Sequence, residues 1–436
     1  MSNHDNLVCP TFAVKHAAVS DMGMRRANNQ DSLATFVTQD VATWATRGHL
    51  LMVADGMGAH AAGELASKLA VDHISHNYFK LRELYPPAAL RQAIRDANNA
   101  IHAKGQSSIG FQGMGTTCSC LVLLPQGALV AHIGDSRVYR LRGDFLEQLT
   151  FDHSLVWEMA AAGQMSESEV PSYIPKNVIT RSLGPHATVH VDLEGPFNAQ
   201  TGDKFLICSD GLSGPVNDEE LGIILRCLDP KEAAETLVDL ANLRGGPDNI
   251  SVVIAEVDGA VPRETAIESS SDLVPGPRRG NTAPLWLAAG ACLAILIYCL
   301  KYEFWAGAIG SGVGLLAAVG AGLAFRSRSL VPCPPIGPIG GPYGNGPYRK
   351  ANCTPNAKVV TSLADLSTKL RELPEKNASD RKPDWNAFDK SSAEAKSASD
   401  RGDYPAAVRN YSAAIRGMMK QLREHRPTVD SDAKAI

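Results

Sequence analysis

From residue 11 to residue 257 the chain alternates two kinds of apolar pattern. The first is a short run with almost no polar interruption, at residues 50–54, 119–124, 205–208 and 250–254. Such runs are too short for helices and too continuous for half-exposed strands, so they predict strands covered on both faces. The second is a longer segment in which apolar residues return every three or four positions, at 61–78, 87–105 and 230–243. These predict amphipathic helices, each laying one stripe on a sheet. Periodicity alone leaves two architectures open: a doubly wound α/β sheet, or two antiparallel sheets face to face with helices outside.

The pattern changes at residue 258, which divides a domain at 1–258 from the remainder of the chain. Residues 259–283 carry Ser269-Ser270-Ser271, several Pro and Arg278-Arg279, and are expected to be a flexible linker. Two apolar stretches come next, 285–300 and 306–325, joined only by Lys301-Tyr302-Glu303-Phe304-Trp305. A membrane helix needs about 20 apolar residues, within a range of about 17–25. The second stretch fits and the first sits at the short limit. Residues 284–326 are therefore expected to be two transmembrane helices, with the membrane engaged through 285–325. The alternative is a buried hairpin in a soluble domain. Arg278 and Arg279 precede the pair and Arg326 and Arg328 come after it, while Lys301 and Glu303 balance in the loop. By the positive-inside bias both ends lie in the cytoplasm, which expects a protein of the inner (cytoplasmic) membrane with catalytic domain and tail on the cytoplasmic side.

Residues 327–357 form a Pro/Gly-rich linker unable to sustain a helix or a central strand. Residues 358–436 read as a small helical tail, with helices expected at 359–373, 385–399 and 404–425. The segment 402–415 resembles the second helix of one tetratricopeptide unit, although such units normally need about three copies. Docking on a protein partner or a second copy, and a plain helical hairpin, both remain open for this tail.

Composition narrows the function classes. A net charge of −4 over 436 residues, without a basic stripe, gives nucleic-acid binding no support. Nine Cys without paired spacing do not form a disulfide framework, which fits a reducing compartment. The first ten residues lack the apolar core of a signal peptide.

The chemistry lies in five acidic motifs. They are Asp21 to Asp31, with Arg26 inside it; Ala54-Asp55-Gly56-Met57-Gly58; Gly134-Asp135-Ser136-Arg137; Ser209-Asp210-Gly211; and Pro247-Asp248-Asn249. Asp55, Asp135 and Asp210 each end or closely follow an apolar run, so strands can aim their carboxylates at one point. A carboxylate set without His or Cys suits hard divalent cations, magnesium or manganese, rather than zinc.

In this order, and with the supporting segments 63–67, 113–117, 149–154 and 179–184, the set resembles the metal-dependent serine/threonine protein phosphatases of type 2C, in their bacterial form. The resemblance covers roughly residues 12–257. It implies an α+β fold, two antiparallel β-sheets packed face to face and flanked by helices, followed here by the transmembrane hairpin and the helical tail. It implies two Mn2+ or Mg2+ ions, with a third in bacterial members, that activate a water for phosphoester hydrolysis. Asp55 would bridge the first two with the Gly56 carbonyl on one of them. Asp210 and Asp248 would complete the second site, Asp31 would hold a bound water, and Asp135 with Asp210 would hold the third ion. Arg26 matches the phosphate-binding arginine, which with Asp55 makes the catalytic pair. The implied partners are phosphoserine and phosphothreonine proteins, and serine/threonine kinases that the enzyme opposes. Met57 stands where animal members place a nearby His, which leaves the proton donor open between His60 and metal-bound water. Ala59 replaces a usual Gly. A mobile flap is implied at 166–177, and Arg137, His132 and His153 read as structural. The rival function is a catalytically silent adaptor, against which stands the retention of all five Asp.

Overall fold

The computed structural model describes residues 13–58, 61–163, 178–259, 339–372 and 385–424. Every strand pairing among them is antiparallel, which decides against a doubly wound sheet. One sheet runs β1(Ala13–Asp21)–β11(Ile250–Asp258)–β10(Lys204–Cys208)–β7(Arg137–Arg142)–β8(Phe145–Gln148)–β12(Arg349–Asn352). The other runs β2(Asp31–Phe36)–β3(His49–Met57)–β5(Cys118–Leu124)–β6(Gly127–Ile133)–β9(Asp192–Phe197), with the short β4(Gly115–Thr116) on β3.

The unbroken apolar runs are explained by what covers each face. In β3, Leu51 and Val53 join Val138, Phe205, Ile207 and Val253 in a core between the two sheets. The alternate residues Leu50, Met52 and Ala54 face α2(Ala62–Lys80) and α3(Pro86–Gln106), against Ala66, Ile74, Leu90 and Ile94. Side chains alternate across a strand, so a strand sandwiched on both sides must be apolar at every position. On the far face of the other sheet, Leu206, Cys208, Val252 and Ile254 meet α6(Asp218–Cys227) and α7(Pro230–Leu243). The order is helix, sheet, sheet, helix.

The C-terminal region is part of this body. Three helices, α8(Ala357–Glu372), α9(Trp385–Asp400) and α10(Tyr404–Glu424), share one apolar core with α6 and α7. Leu363, Val408, Ile415 and Met418 are buried in it alongside Ile224, Leu228 and Leu237. Polar ties rim the contact: Arg416 reaches Glu232 at 2.6 Å, and Ser362 and Arg244 both meet Glu220, at 3.1 and 2.6 Å. The apolar stripe of the tail, for which docking on a partner and a plain hairpin were both open, is covered by the chain's own α6 and α7.

The Pro/Gly-rich stretch expected to be a spacer also differs, over its described part. It avoids helix and central strand, as its prolines require, but it adds β12 at the sheet edge, where missing N–H groups are tolerated. Before that strand it ties to the opposite sheet, with Tyr348 Oη donating to Glu194 at 2.6 Å and Gly346 N at 3.0 Å. After it, Cys353 is buried against Gly222 of α6, where an added Cβ would stand 2.0 Å from the Cys353 sulfur. Only glycine leaves room there. Among the described residues no helix is long and apolar enough to cross a membrane, and the hairpin expected at 285–325 lies outside them.

This interface makes two expectations testable. Ile415→Ala, in the shared core, is expected to cost about 2–5 kcal/mol in denaturant unfolding of the whole body, with no separate tail transition. An early, independent tail transition would contradict the common core. The second concerns Asp239, fully buried on α7 and bonded to Arg423 of α10 at 2.6 Å. Burial pushes its carboxyl up to about 7, against the pull of the Arg423 guanidinium. The folded protein therefore holds a proton here that the unfolded chain releases, so this site's contribution to stability falls as pH rises from about 4 to about 7. Asp239→Asn should flatten that part of the melting temperature against pH, and an unchanged slope would refute the assignment.

Candidate metal centre

Strand register brings the acidic motifs to one edge of the sandwich. Asp31 opens β2 and lies directly opposite Asp55 near the end of β3. Asp210 follows β10 and Asp248 precedes β11, neighbours in the other sheet with Cys208 opposite Val252. Asp135 sits in the turn from β6 to β7. Each expected Asp is therefore at a strand end, and the ends share an edge.

The support for these residues is specific. Asp55 N donates to Thr117 Oγ1 at 2.9 Å, while its carbonyl accepts from Thr117 N and Thr116 Oγ1, both at 2.9 Å. Gly56 N donates to Gln30 O at 3.2 Å, and a Cβ on Gly56 would fall 2.1 Å from Gly63 O, so the start of α2 closes directly over the loop. Ser209 Oγ donates to Asp31 Oδ2 at 2.8 Å. The loop bearing Arg26 is held by Asn249, which donates to the carbonyls of Met22 and Asn28 at 2.9 and 3.0 Å and accepts from Gln30 N at 2.8 Å. Arg26 Nη2 bonds Asp248 Oδ2 at 2.6 Å. Thr117, Ser209 and Asn249 stood inside or beside the quoted motifs without a role, and their polar side chains next to apolar strands were the available signal.

Electrostatics set the character of the centre. Asp55 is held well above the usual carboxylate range by burial first, then by Asp31, Asp210, Asp135 and Asp248. Burial pushes Asp31 up to about 6 and Asp135 up to about 8, with Asp210 the leading charge neighbour in both. Asp210 is raised by burial and by Asp248, partly offset by a hydrogen bond from Asp55. Among the described residues, Asp31 Oδ1, Asp135 Oδ1 and Asp210 Oδ1 are buried without a partner. Buried polar oxygens ordinarily find one. No three acidic, His or Cys side chains among the described residues form a closed ligand set. Buried carboxylate oxygens without a protein partner, in an oxygen-only donor set, fit a hard divalent cation.

The Protein phosphatase 2C family profile matches residues 24–241. This chain belongs to that family. The serine/threonine protein phosphatase PstP of Mycobacterium tuberculosis is 37% identical over 254 residues, 57% of this chain but only 46% of the relative, so the chain spans about half the length of that protein. A solved catalytic domain of PstP in complex with two manganese ions is 36% identical over 57% of this chain and 100% of that one, with a TM-score of 0.48. A putative protein phosphatase 2C-type of Streptococcus pyogenes is 37% identical over 248 residues, 55% of this chain and 96% of the relative. A solved bacterial serine phosphatase, 29% identical, aligns over 57% of this chain and 99% of its own, with a TM-score of 0.50. The phosphatase profile ends inside α7, so β11, β12 and α8–α10 lie beyond it.

The remaining expected residues sort cleanly. His132 is buried and neutral, its value lowered to about 3 chiefly by burial, and bonds Ser119 at 2.9 Å. His153 receives Gly134 N at 3.0 Å and bonds Asp192 at 2.8 Å, a structural clamp on the turn that carries Asp135. Arg137 pairs with Asp152 at 2.7 Å, the carboxylate partnership expected of it. His60, Ala59 and the flap at 166–177 lie outside the described residues. Asn249→Ala is expected to cost about 1–3 kcal/mol in unfolding free energy by stranding two carbonyls and one N–H. Asn249→Asp should not restore it, because a carboxylate cannot donate, and a full rescue by Asp would refute the role.

Proposed function

We propose that the chain is a membrane-anchored, metal-dependent phosphatase that removes phosphate from phosphoserine and phosphothreonine in cytoplasmic proteins, opposing membrane kinases of the same cell. The observation that carries the catalytic part is the set of buried carboxylates with unpartnered oxygens, gathered beside Arg26 at one edge of the sandwich. Asp55 with the Gly56 carbonyl, Asp210 and Asp248 would hold two Mn2+ or Mg2+ ions, Asp31 would orient water beside them, and Asp135 with Asp210 would serve a third. Bound there, such ions polarise phosphoryl oxygens and lower the pKa of water.

The protein's own groups supply the rest. Arg26 offers a planar fork for two phosphate oxygens, and its bond to Asp248 keeps that fork at the rim of the centre. Asn249 fixes the loop from which Arg26 reaches. Burial raises the carboxyl values, so a cation must displace protons to enter, and cation affinity falls as pH falls.

Anchoring rests on the apolar stretches at 285–300 and 306–325 and on the arginines flanking them. Residues up to 259 and from 339 onward belong to one compact unit, and an even number of membrane crossings between them would leave both on the same side.

The full chain is expected to hydrolyse a small aryl phosphate and phosphothreonine peptides with Mn2+ and to stop in a chelator, and undiminished turnover in chelator would overturn the reading. Asp55→Asn, Asp210→Asn and Asp248→Asn should each lose several orders of magnitude in kcat, and Asp135→Asn far less. Arg26→Ala should act mainly on KM, by about tenfold. Reporter fusions after Asp258 and after Lys350 should both read cytoplasmic, and opposite readings would refute the hairpin.

A further inference from the structure

Asp135 lies in a turn that two consecutive residues, Asp152 and His153, hold from either side. On one side Gly134 exchanges two bonds with His153: its N donates to Nδ1 at 3.0 Å, and its carbonyl accepts from His153 N at 2.7 Å. On the other side Arg137 Nε donates to Asp152 Oδ2 at 2.8 Å. Gly134 adopts φ +110°, and an added Cβ there would stand 2.6 Å from Cβ of Thr117, the residue that also holds Asp55. The aim of the Asp135 carboxylate therefore depends on where Asp152 and His153 stand.

What backs that pair comes from the C-terminal region. Phe151 directly precedes it, and the Tyr348 ring meets the Phe151 ring edge-on, with centroids 5.5 Å apart. Tyr348 is fixed at both ends. Its N donates to Gln148 O at 2.8 Å, and the side chain of the same Gln148 donates to Asp152 Oδ1 at 2.8 Å. Its hydroxyl donates to Glu194, two residues along β9 from Asp192, the acid that bonds His153. Residues two apart in a strand share a face, so β9 holds Tyr348 and His153 side by side.

We propose that Tyr348 is a positioning residue for Asp135, and that it thereby sets the affinity of the cation that Asp135 would share with Asp210. This rests on the reading of the acidic edge as a divalent-cation centre. Tyr348 acts through Phe151, Asp152 and His153 rather than by touching the ion. Groups that orient a metal ligand from behind commonly change metal affinity by about 10–100-fold when removed. The phosphatase profile ends at residue 241, so this support belongs to the C-terminal region of the chain and not to the profile-matched core.

The test uses the full chain, with Mn2+ alone as the probe, and two readouts. Calorimetry gives the affinity of the weakest Mn2+ site, a quantity that does not depend on the fraction of folded protein. Hydrogen exchange gives the protection of the Gly134 N–H relative to the amides of β3. Tyr348→Ala should weaken the weakest site by about tenfold and lower the relative protection of Gly134 by a similar factor. Tyr348→Phe loses the bond to Glu194 but keeps the ring on Phe151, and should restore both readouts. Should Tyr348→Ala not fold, Tyr348→Leu, smaller and without the ring edge, is read in its place. Ile415→Ala is the control for stability alone: it loosens the shared core and should leave both readouts at wild-type values. Unchanged protection or unchanged affinity in Tyr348→Ala, or equal losses in Ile415→Ala, overturns the role while leaving the metal reading intact. If the wild type binds no Mn2+, the metal reading fails and takes the affinity effect with it, while the exchange comparison still decides whether Tyr348 holds the turn.

Discussion

Carboxylates buried together at one edge of a sandwich repel one another, and the rest of the structure is arranged to hold them there. Isolated ionised carboxylates in a protein interior are strongly unfavourable, and they escape by taking up protons, finding partners or meeting a cation. Here the raised values of Asp31, Asp55, Asp135 and Asp210 show the first escape, and the hydrogen bonds of Ser209 and Arg26 show part of the second. The third is what their unpartnered oxygens are suited to. Such a cluster survives only on a stiff frame, and two sheets with helices on both outer faces supply it. Repulsion that would spread a loop is resisted by strands anchored over most of their length.

Much of the frame was legible in the chain. A strand covered on both faces has no polar positions, so β3, β5, β10 and β11 stood out, and their observed bounds differ from the expected ones by a few residues at most. The helices α2, α3 and α7 were equally plain from their stripes. What periodicity could not express was the pairing direction, since a buried run reads alike in parallel and antiparallel sheets. The resemblance carried by the acidic motifs settled that question, and the register of Asp31 opposite Asp55 bears it out. Within the site, ligands were legible because Asp at the tip of an apolar run is chemically conspicuous. Asn249 showed only as a polar side chain beside an apolar strand, and its role of binding three main-chain groups of a distant loop could not be read from that signal.

The tail failed to declare its partner for a different reason. An amphipathic helix records that one stripe is buried but not what buries it. Helices α8 and α10 carry good stripes, and so do α6 and α7, yet nothing in either set of residues names the other. Docking on a partner and a plain helical hairpin therefore both stayed open from the sequence. Small cues of the match exist only in pairs: the bare Gly222 under Cys353, and Asp239 awaiting Arg423. Each is unremarkable alone.

The edge strand β12 has a consequence for how the molecule comes into being. A sheet whose first strand begins at Ala13 is not finished until Asn352 has been synthesised. While the ribosome makes everything between residues 259 and 339, the nascent chain must wait with α6, α7 and the free side of β8 uncovered. Long-range closures of this kind are slow and leave sticky surface exposed in the interval. Synthesis is therefore ordered in time: the acidic edge is made first, and β12 and the three helices after it arrive later. A chain interrupted between residues 259 and 339 would carry the acidic centre without the edge strand and helices that close the body around it.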